Sequence, residues 1–196
     1  MEPYVIGITG ASGAPLAKRA VEQLLARSIP VALTCSSHAD QVWRQELGES
    51  FATALERFRK DGNFRYYETH DMAASISSGT YATGGMLVIP ASMSSIACIA
   101  RGVATNLLQR AADVTLKERR RLVIVPRETP LSLVHLENMV TLARLGAVIL
   151  PPMPAFYLHP KSVDDIVDFV AGRALLALGV KDALDTRFRY KGQPNS

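Results

Sequence analysis

The sequence has little cysteine and no marked excess of either charge. Only Cys35 and Cys98 are present among 196 residues, which excludes a disulfide-stabilised scaffold and is typical of a reducing, cytoplasmic setting. The 22 Lys and Arg residues stand against 18 Asp and Glu residues, a net charge of +4. The chain therefore lacks the dense basic surface of a nucleic-acid-binding arm. Residues 1–4 carry no basic or long apolar segment and do not predict a signal peptide.

Residues 72–100 form a long segment without any charge. Its length alone would allow it to cross a bilayer. Serines, threonines, glycines and Pro90 interrupt it, however, and its continuous apolar runs are short. We therefore predict that it forms the buried middle of a soluble domain, with no membrane association.

Short apolar segments alternate with segments of helical periodicity. The predicted strands cover residues 4–9, 29–35, 85–89, 121–125 and 147–150. The predicted helices cover residues 14–27, 39–47, 95–118, 131–145 and 162–178. This alternation predicts an α/β fold in three layers, a parallel sheet with helices on both faces.

The same pattern predicts the domain organisation. Residues 1–181 are expected to form one domain. Residues 182–196 are a polar tail that is either loose or packed on a neighbouring protomer. The irregular segment 51–71 is expected to be an excursion or a lid.

Two predicted helices carry an apolar stripe at helical spacing. The stripes consist of Leu133, Leu136, Val140 and Ala143 in one helix, and of Val163, Ile166, Val170 and Ala174 in the last. Ser162 and Asp165 predict a capping box at the start of the last helix.

Small and polar residues follow each predicted strand. In a doubly wound sheet the ligand crevice lies beyond the carboxyl ends of the strands. The residues expected there are Gly10, Ala11, Ser12 and Gly13, then Ser36 and Ser37, then Ser92, Ser94 and Ser95, then Arg127 and Glu128, and finally residues 151–157.

The turn from Gly10 to Gly13 lies between a predicted strand and a predicted helix, where backbone N–H groups favour an anion. It matches neither the G-x-G-x-x-G fingerprint nor a Walker loop. A plain tight turn is the alternative interpretation, but the neighbouring hydroxyl-rich turns favour a phosphate-bearing ligand. Ser12 does not lie in a G-x-S-x-G elbow, which argues against a hydrolase nucleophile.

Three cations are candidates for holding phosphate. Arg110 and Lys117 are seven residues apart and share a helix face, and Arg127 ends a strand. The alternative for the run 117–121 is a solvated basic face.

Cys35 and His38 without a second ligand pair predict no metal site. The rigid segment 151–157 ends on Tyr157 and is expected to form either a stiff connection or an apolar ligand wall.

Several segments, in order along nearly the whole chain, resemble the UbiX-like flavin prenyltransferases. They include Gly-Ile-Thr-Gly-Ala-Ser-Gly-Ala at 7–14 and Pro-Arg-Glu-Thr-Pro-Leu at 126–131, with 74–79, 110–114, 116–120, 146–149 and 154–157. The resemblance implies a Rossmann-like, flavodoxin-type fold in a homo-oligomer, usually a dodecamer. It implies an enzyme that transfers the dimethylallyl group of dimethylallyl phosphate to N5 and C6 of reduced FMN, with release of phosphate and without a metal. The prenylated FMN then serves a UbiD-type decarboxylase.

The resemblance also implies roles for individual residues. FMN is expected to contact Gly10, Ala11, Ser12, Ser36, Ser92, Met93, Ser94, Ser95 and Arg127. The prenyl phosphate is expected to contact Tyr157 and Arg173, with Lys117 and Arg110 as further candidates. Glu46 and Glu128 match acidic site residues, Glu128 is a candidate for proton handling, and Ser12 is expected to position the flavin N5 region. Phe188 stands where members of the family commonly carry tryptophan.

Three other functions remain open from the residues. A flavin-dependent cysteine decarboxylase, a group with a Pro-x-Met-Asn motif and a catalytic His, is disfavoured because the segment 152–155 contains no Asn and no His matches clearly. An aromatic-acid decarboxylase lacks an obvious electron sink. A non-catalytic flavin carrier would not need Tyr157, Arg173 and Glu128.

Overall fold

A computed structural model describes residues 1–190 of the chain. Within them a single parallel sheet is formed by β1 (Tyr4–Ile8), β2 (Val31–Cys35), β3 (Phe64–Tyr67), β4 (Gly85–Ala91), β5 (Leu122–Pro126) and β6 (Val148–Ile149). The strand order is β3-β2-β1-β4-β5-β6. The helices are α1 (Ala14–Leu25), α2 (Ala39–Leu47), α3 (Phe51–Phe58), α4 (Met93–Ala100), α5 (Leu107–Lys117), α6 (Leu133–Arg144) and α7 (Val163–Leu178).

The helices cover both faces of the sheet, which confirms the three-layer α/β prediction. One apolar core packs α1, α2, α3 and α7 against one face. The second core packs α4, α5 and α6 against the other. The strand order is the Rossmann order 3-2-1-4-5-6 and differs from the 2-1-3-4-5 order of flavodoxin.

That difference arises from residues 51–71, for which the sequence predicts an excursion or a lid. They form α3 and the edge strand β3. Aromatic contacts hold them in place. The ring of Phe51 packs edge-on against Trp43, with 5.1 Å between the ring centroids, and the ring centroids of Phe58 and Phe64 lie 5.4 Å apart. The segment is therefore part of the sheet and not a lid.

The predicted helix over residues 95–118 is two helices, α4 and α5. Gly102 takes a left-handed conformation with φ of 67°. Asn106 then starts α5, because its side chain accepts the backbone N–H of Gln109 at 3.0 Å. A glycine turn followed by a new N-cap ends one helix and begins the next.

The apolar stripe predicted for α6 does not face the core. Leu133, Leu136 and Val140 are 70%, 45% and 47% exposed, whereas Met139 and Leu142 are buried. In α7, Val170 and Ala174 are buried as expected, but Val163 is exposed. The capping box is confirmed, since Ser162 and Asp165 each accept the other's backbone N–H at 3.1 Å.

The part of the tail that the structure describes packs on its own chain. Residues Thr186–Phe188 form one turn of 3₁₀ helix, and Phe188 is buried against Phe169. Residues 191–196 lie outside the described part, and a contact with a neighbouring protomer stays a prediction. No helix within residues 1–190 is both long enough and apolar enough to cross a membrane.

Candidate functional site

The crevice lies at the carboxyl edge of the sheet between β1 and β4. There the strand order reverses, because β2 lies on one side of β1 and β4 on the other. Such a switch point is where doubly wound proteins bind ligands. The loops that follow β1, β2, β4 and β5 therefore carry the candidate residues.

Thr9 ties the loops after β1 and β4 together. Its hydroxyl donates to the Pro90 carbonyl oxygen at 2.8 Å and accepts the backbone N–H of Ser92 at 2.9 Å. It also accepts the N–H of Ala11 at 3.3 Å. The N–H of Arg127 donates to the Ala91 carbonyl at 3.1 Å. One buried hydroxyl thus fixes the Ser12 turn against the Ser92 turn, next to the end of β5.

Gly10 allows the loops after β1 and β2 to touch. A Cβ at this position would lie 2.5 Å from the His38 Cβ. The N–H of Ser36 donates to the Ile8 carbonyl at 2.8 Å, which continues the pairing of the two strands beyond their ends. Ser12 and Ser36 therefore lie on adjacent loops of the crevice.

Glu46 reaches from α2 to the first turn of α1. One carboxylate oxygen accepts the backbone N–H of Gly13 at 2.9 Å and that of Ala14 at 2.8 Å. Gly13, with φ of 121°, has no side chain of its own to cap the helix. The carboxylate therefore acts as the anion that the positive end of α1 favours.

The turn after β4 is rich in hydroxyl groups. Ser92 begins α4 by accepting the N–H of Ser95 at 3.3 Å, and its hydroxyl lies 3.1 Å from those of Ser94 and Ser95. Met93 is buried in the core. Exposed Arg127 directly follows the end of the neighbouring strand β5. Hydroxyls, a helix start and a guanidinium fit the phosphate of a flavin mononucleotide.

Glu128 directly follows Arg127 and is also exposed. Its carboxylate accepts the backbone N–H of Thr129 at 2.9 Å. This contact leaves most of the carboxylate available to a bound molecule.

Tyr157 and Arg173 lie together in a different place. They line a cavity of about 950 Å³ between the loop after β6, α7 and residues 181–190. Phe169, Phe188 and Tyr190 form apolar parts of its lining. The cavity combines a cation, a phenol and aromatic surface, which suits a ligand with a phosphate and an apolar chain.

Arg110 and Lys117 lie in a third place, on α5. Arg110 donates to the Ser77 carbonyl at 3.2 Å and to Asp113 at 2.8 Å. Lys117 pairs with Glu118 at the end of α5, close to the start of β5 at Leu122. It is therefore at the amino edge of the sheet, opposite the crevice.

The candidate residues thus form three groups within one chain. The crevice group contains Ser12, Ser36, Glu46, the Ser92 turn, Arg127 and Glu128. The cavity group contains Tyr157 and Arg173, and α5 carries Arg110 and Lys117. The residues that line the 950 Å³ cavity all come from residues 153–190 and include none of the crevice group.

Sequence reasoning missed Thr9, Phe169 and Tyr190. The sequence pattern predicts Thr9 only as the last residue of the strand over residues 4–9. A threonine at the buried end of a strand, directly before a glycine turn, is a signal for a hydrogen-bonding role, because buried hydroxyl groups need a partner. Phe169 could have been found, because it lies four residues before Arg173 and shares its helix face. Tyr190 carried no signal in the sequence.

A doubly wound sheet with a glycine turn and a hydroxyl-rich turn at its switch point is the architecture of a nucleotide-binding α/β protein. The flavoprotein family model matches residues 2–175. The flavin prenyltransferase UbiX of Halalkalibacterium halodurans is 45% identical over 196 residues, covering 94% of this chain and 92% of the relative.

Solved structures give the same result. The dodecameric FMN-dependent UbiX-like decarboxylase from Escherichia coli O157:H7 has a TM-score of 0.88 at 42% identity, covering 97% of this chain and 100% of the other. AnUbiX (PadA1), in complex with FMN and dimethylallyl pyrophosphate, has a TM-score of 0.90 at 38% identity, covering 98% and 99%. The chain belongs to the flavoprotein family and, within it, to the UbiX-like flavin prenyltransferases.

Proposed function

We propose that this chain joins the dimethylallyl group of dimethylallyl phosphate to N5 and C6 of reduced FMN. The observation that carries the proposal is the crevice, where Thr9 holds the turns of Ser12 and Ser92 together beside Arg127. Family membership supports the reaction, since curated relatives carry the name flavin prenyltransferase. A solved relative contains both FMN and dimethylallyl pyrophosphate.

The crevice residues are assigned to FMN. Gly10, Ala11, Ser12 and Ser36 would hold the flavin, and the turn Ser92, Met93, Ser94, Ser95 with Arg127 would hold its phosphate. Glu46 already occupies the start of α1, which directs the phosphate to the second turn. Bound reduced FMN supplies the nucleophilic ring atoms.

The cavity residues are assigned to the prenyl donor. Arg173 and the Tyr157 hydroxyl would bind its phosphate, with Lys117 and Arg110 as further cations. Such donors stabilise the leaving phosphate as charge develops on it. The aromatic lining stabilises a developing allylic cation by about 0.5–2 kcal/mol. Glu128 and Glu46 are assigned to proton handling near the phosphate and the flavin, and Ser12 to positioning the flavin.

We further propose that one site is completed by several protomers. The separation of the crevice from Tyr157, Arg173 and Lys117 supports this, and so does the exposed apolar face of α6. A solved relative is dodecameric, and we propose the same assembly here.

Co-expression of two variants, assayed at a low dimethylallyl phosphate concentration at which each variant alone is inactive, tests the shared site. If Glu128 and Arg173 of one site come from different protomers, a mixed oligomer of Glu128→Gln and Arg173→Ala chains regains part of the activity. A mixed oligomer as inactive as its parents would place both residues in a site within one chain.

The reaction itself is tested by the mass of the flavin released after anaerobic incubation with reduced FMN and dimethylallyl phosphate. A flavin heavier by one isoprene unit is expected. Unmodified FMN with the monophosphate, and again with the diphosphate, would contradict prenyl transfer and favour a flavin carrier. Loss of carbon dioxide from an added aromatic acid, without flavin modification, would favour a decarboxylase.

The product is assigned to a UbiD-type decarboxylase, and the reaction to the cytoplasm. Free thiols at Cys35 and Cys98 are consistent with that compartment. Adding the released flavin to an apo-decarboxylase of this type is expected to activate it, and failure to do so would remove the partner.

A further inference from the structure

Residues 182–190, here called the C-terminal strap, lie along α7. Leu184 is buried, and a Cβ on Gly172 of α7 would come within 3.1 Å of the Ala183 carbonyl oxygen. The close approach between the strap and α7 depends on Gly172, so the strap packs on that helix at a defined position.

Arg187 fastens the strap electrostatically. Its guanidinium lies 3.6 Å from Asp165 and 3.8 Å from Asp168, both on α7, and 3.0 Å from Asp185 on the strap. It also stands 4.9 Å over the ring of Phe188. One side chain therefore connects the strap to two carboxylates of α7 and packs on the neighbouring aromatic ring.

The strap places two aromatic rings in the wall of the 950 Å³ cavity. Phe188 packs edge-on against Phe169 of α7 at 5.9 Å. Tyr190 packs edge-on against Tyr157 at 6.3 Å. Both rings share this cavity with Arg173. The strap thus contributes part of the wall of the cavity that also contains Tyr157 and Arg173, the residues assigned to the donor phosphate.

We propose that Arg187 is a positioning residue for the prenyl donor. By fastening the strap to Asp165 and Asp168, it holds Phe188 and Tyr190 as the apolar wall against which the five-carbon chain packs. An apolar chain gains from a wall that excludes water. The inference rests on the proposed function, because it takes Tyr157 and Arg173 as the donor site.

The test is steady-state kinetics of Arg187→Gln with dimethylallyl phosphate. We expect the KM for the donor to rise roughly fivefold, the scale of a network of exposed ion pairs. The kcat and the dissociation constant for FMN should stay unchanged. Arg187→Lys keeps the positive charge, and its donor KM should rise less than that of Arg187→Gln. Added salt should raise the KM of the wild type more than that of Arg187→Gln.

Arg19→Gln is the matched control. Arg19 lies on α1 and pairs with Asp164 and Asp168 from the other side, so its loss disturbs the same acidic cluster without touching the strap. It should lower the melting temperature and leave the donor KM unchanged. An unchanged KM in Arg187→Gln, or an equal rise in both variants, would overturn the proposal. Wild-type protein that leaves FMN unmodified would overturn the proposed function, and this inference with it.

Discussion

His38 lies directly against Gly10: a Cβ added to the glycine would stand 2.5 Å from the His38 Cβ. The contact brings the loops after β1 and β2 together in the crevice assigned to FMN. Gly10→Ala forces these loops apart, and overpacking of this kind costs roughly 1–3 kcal/mol.

We expect Gly10→Ala to lower the melting temperature and to abolish FMN binding, measured by flavin fluorescence titration. Gly62→Ala is the control, since a Cβ there meets nothing within 4 Å. Normal FMN affinity in Gly10→Ala would show that the contact does not shape the flavin site.

Glu46 combines a structural contact with a proposed chemical role, and two substitutions separate them. Glu46→Ala removes the acceptor of the Gly13 and Ala14 N–H groups and should cost about 1 kcal/mol of unfolding free energy. Glu46→Gln keeps an acceptor oxygen and should preserve stability. Both should lose turnover. Full activity in Glu46→Gln, measured as prenylated flavin, would leave Glu46 with only the capping role.

Glu128 is the candidate for proton handling, because it is exposed at the end of β5 with one backbone contact. Glu128→Gln is expected to bind FMN normally and to lose turnover by about 10²–10⁴-fold, the range of a general acid or base. Single-turnover flavin modification measures the loss. Wild-type turnover in this variant would remove the proton role.

Arg173 shares the 950 Å³ cavity with Tyr157 and has no part in the crevice. Arg173→Ala should therefore raise the KM for dimethylallyl phosphate while the dissociation constant for FMN stays the same. Isothermal titration with each ligand separates the two. Loss of FMN affinity instead would mean that the two ligands are assigned to the wrong places.

Cys35 is the last residue of β2, next to Ser36 in the crevice. The reactivity of its thiol tests whether this side chain is buried. Burial raises the pKa of its thiol above the ordinary value, opposed in part by a hydrogen bond with Tyr66. The thiol therefore ionises at higher pH in the folded than in the unfolded chain. Stability from the neutral thiol is complete below the unfolded pKa and is lost as pH rises through the folded pKa.

Iodoacetamide alkylation, followed by peptide mass spectrometry, measures this effect. At pH 8 we expect Cys35 to react slowly in the native protein and rapidly in urea. Equal rates in the two states would contradict the burial of Cys35.

The sequence predicted the carboxyl-edge residues well, because the carboxyl ends of parallel strands always lie at the same edge of the sheet. Ser12, Ser36, Ser92 and Arg127 each follow a strand, and the structure brings their loops to one edge. Their contacts with FMN stay predictions.

The remaining relationships depend on packing between distant segments, which no local pattern records. The α6 stripe shows this: Leu133, Leu136 and Val140 have helical spacing, but periodicity does not say whether a stripe meets the core or another chain. Nor did the spacing of Tyr157 and Arg173 reveal that they lie apart from the crevice. The break at Gly102 was missed because the apolar pattern continues on both sides.

The capping of α1 by Glu46 has a consequence for ligand choice. Proteins with this strand order commonly seat the pyrophosphate of a dinucleotide on the first helix, but here a carboxylate holds that position. A nicotinamide dinucleotide entering in the usual orientation would set its pyrophosphate against a fixed negative charge. We therefore expect the carboxylate of Glu46 to disfavour a dinucleotide at the start of α1 by charge repulsion and to leave the binding of a mononucleotide at the Ser92 turn unaffected.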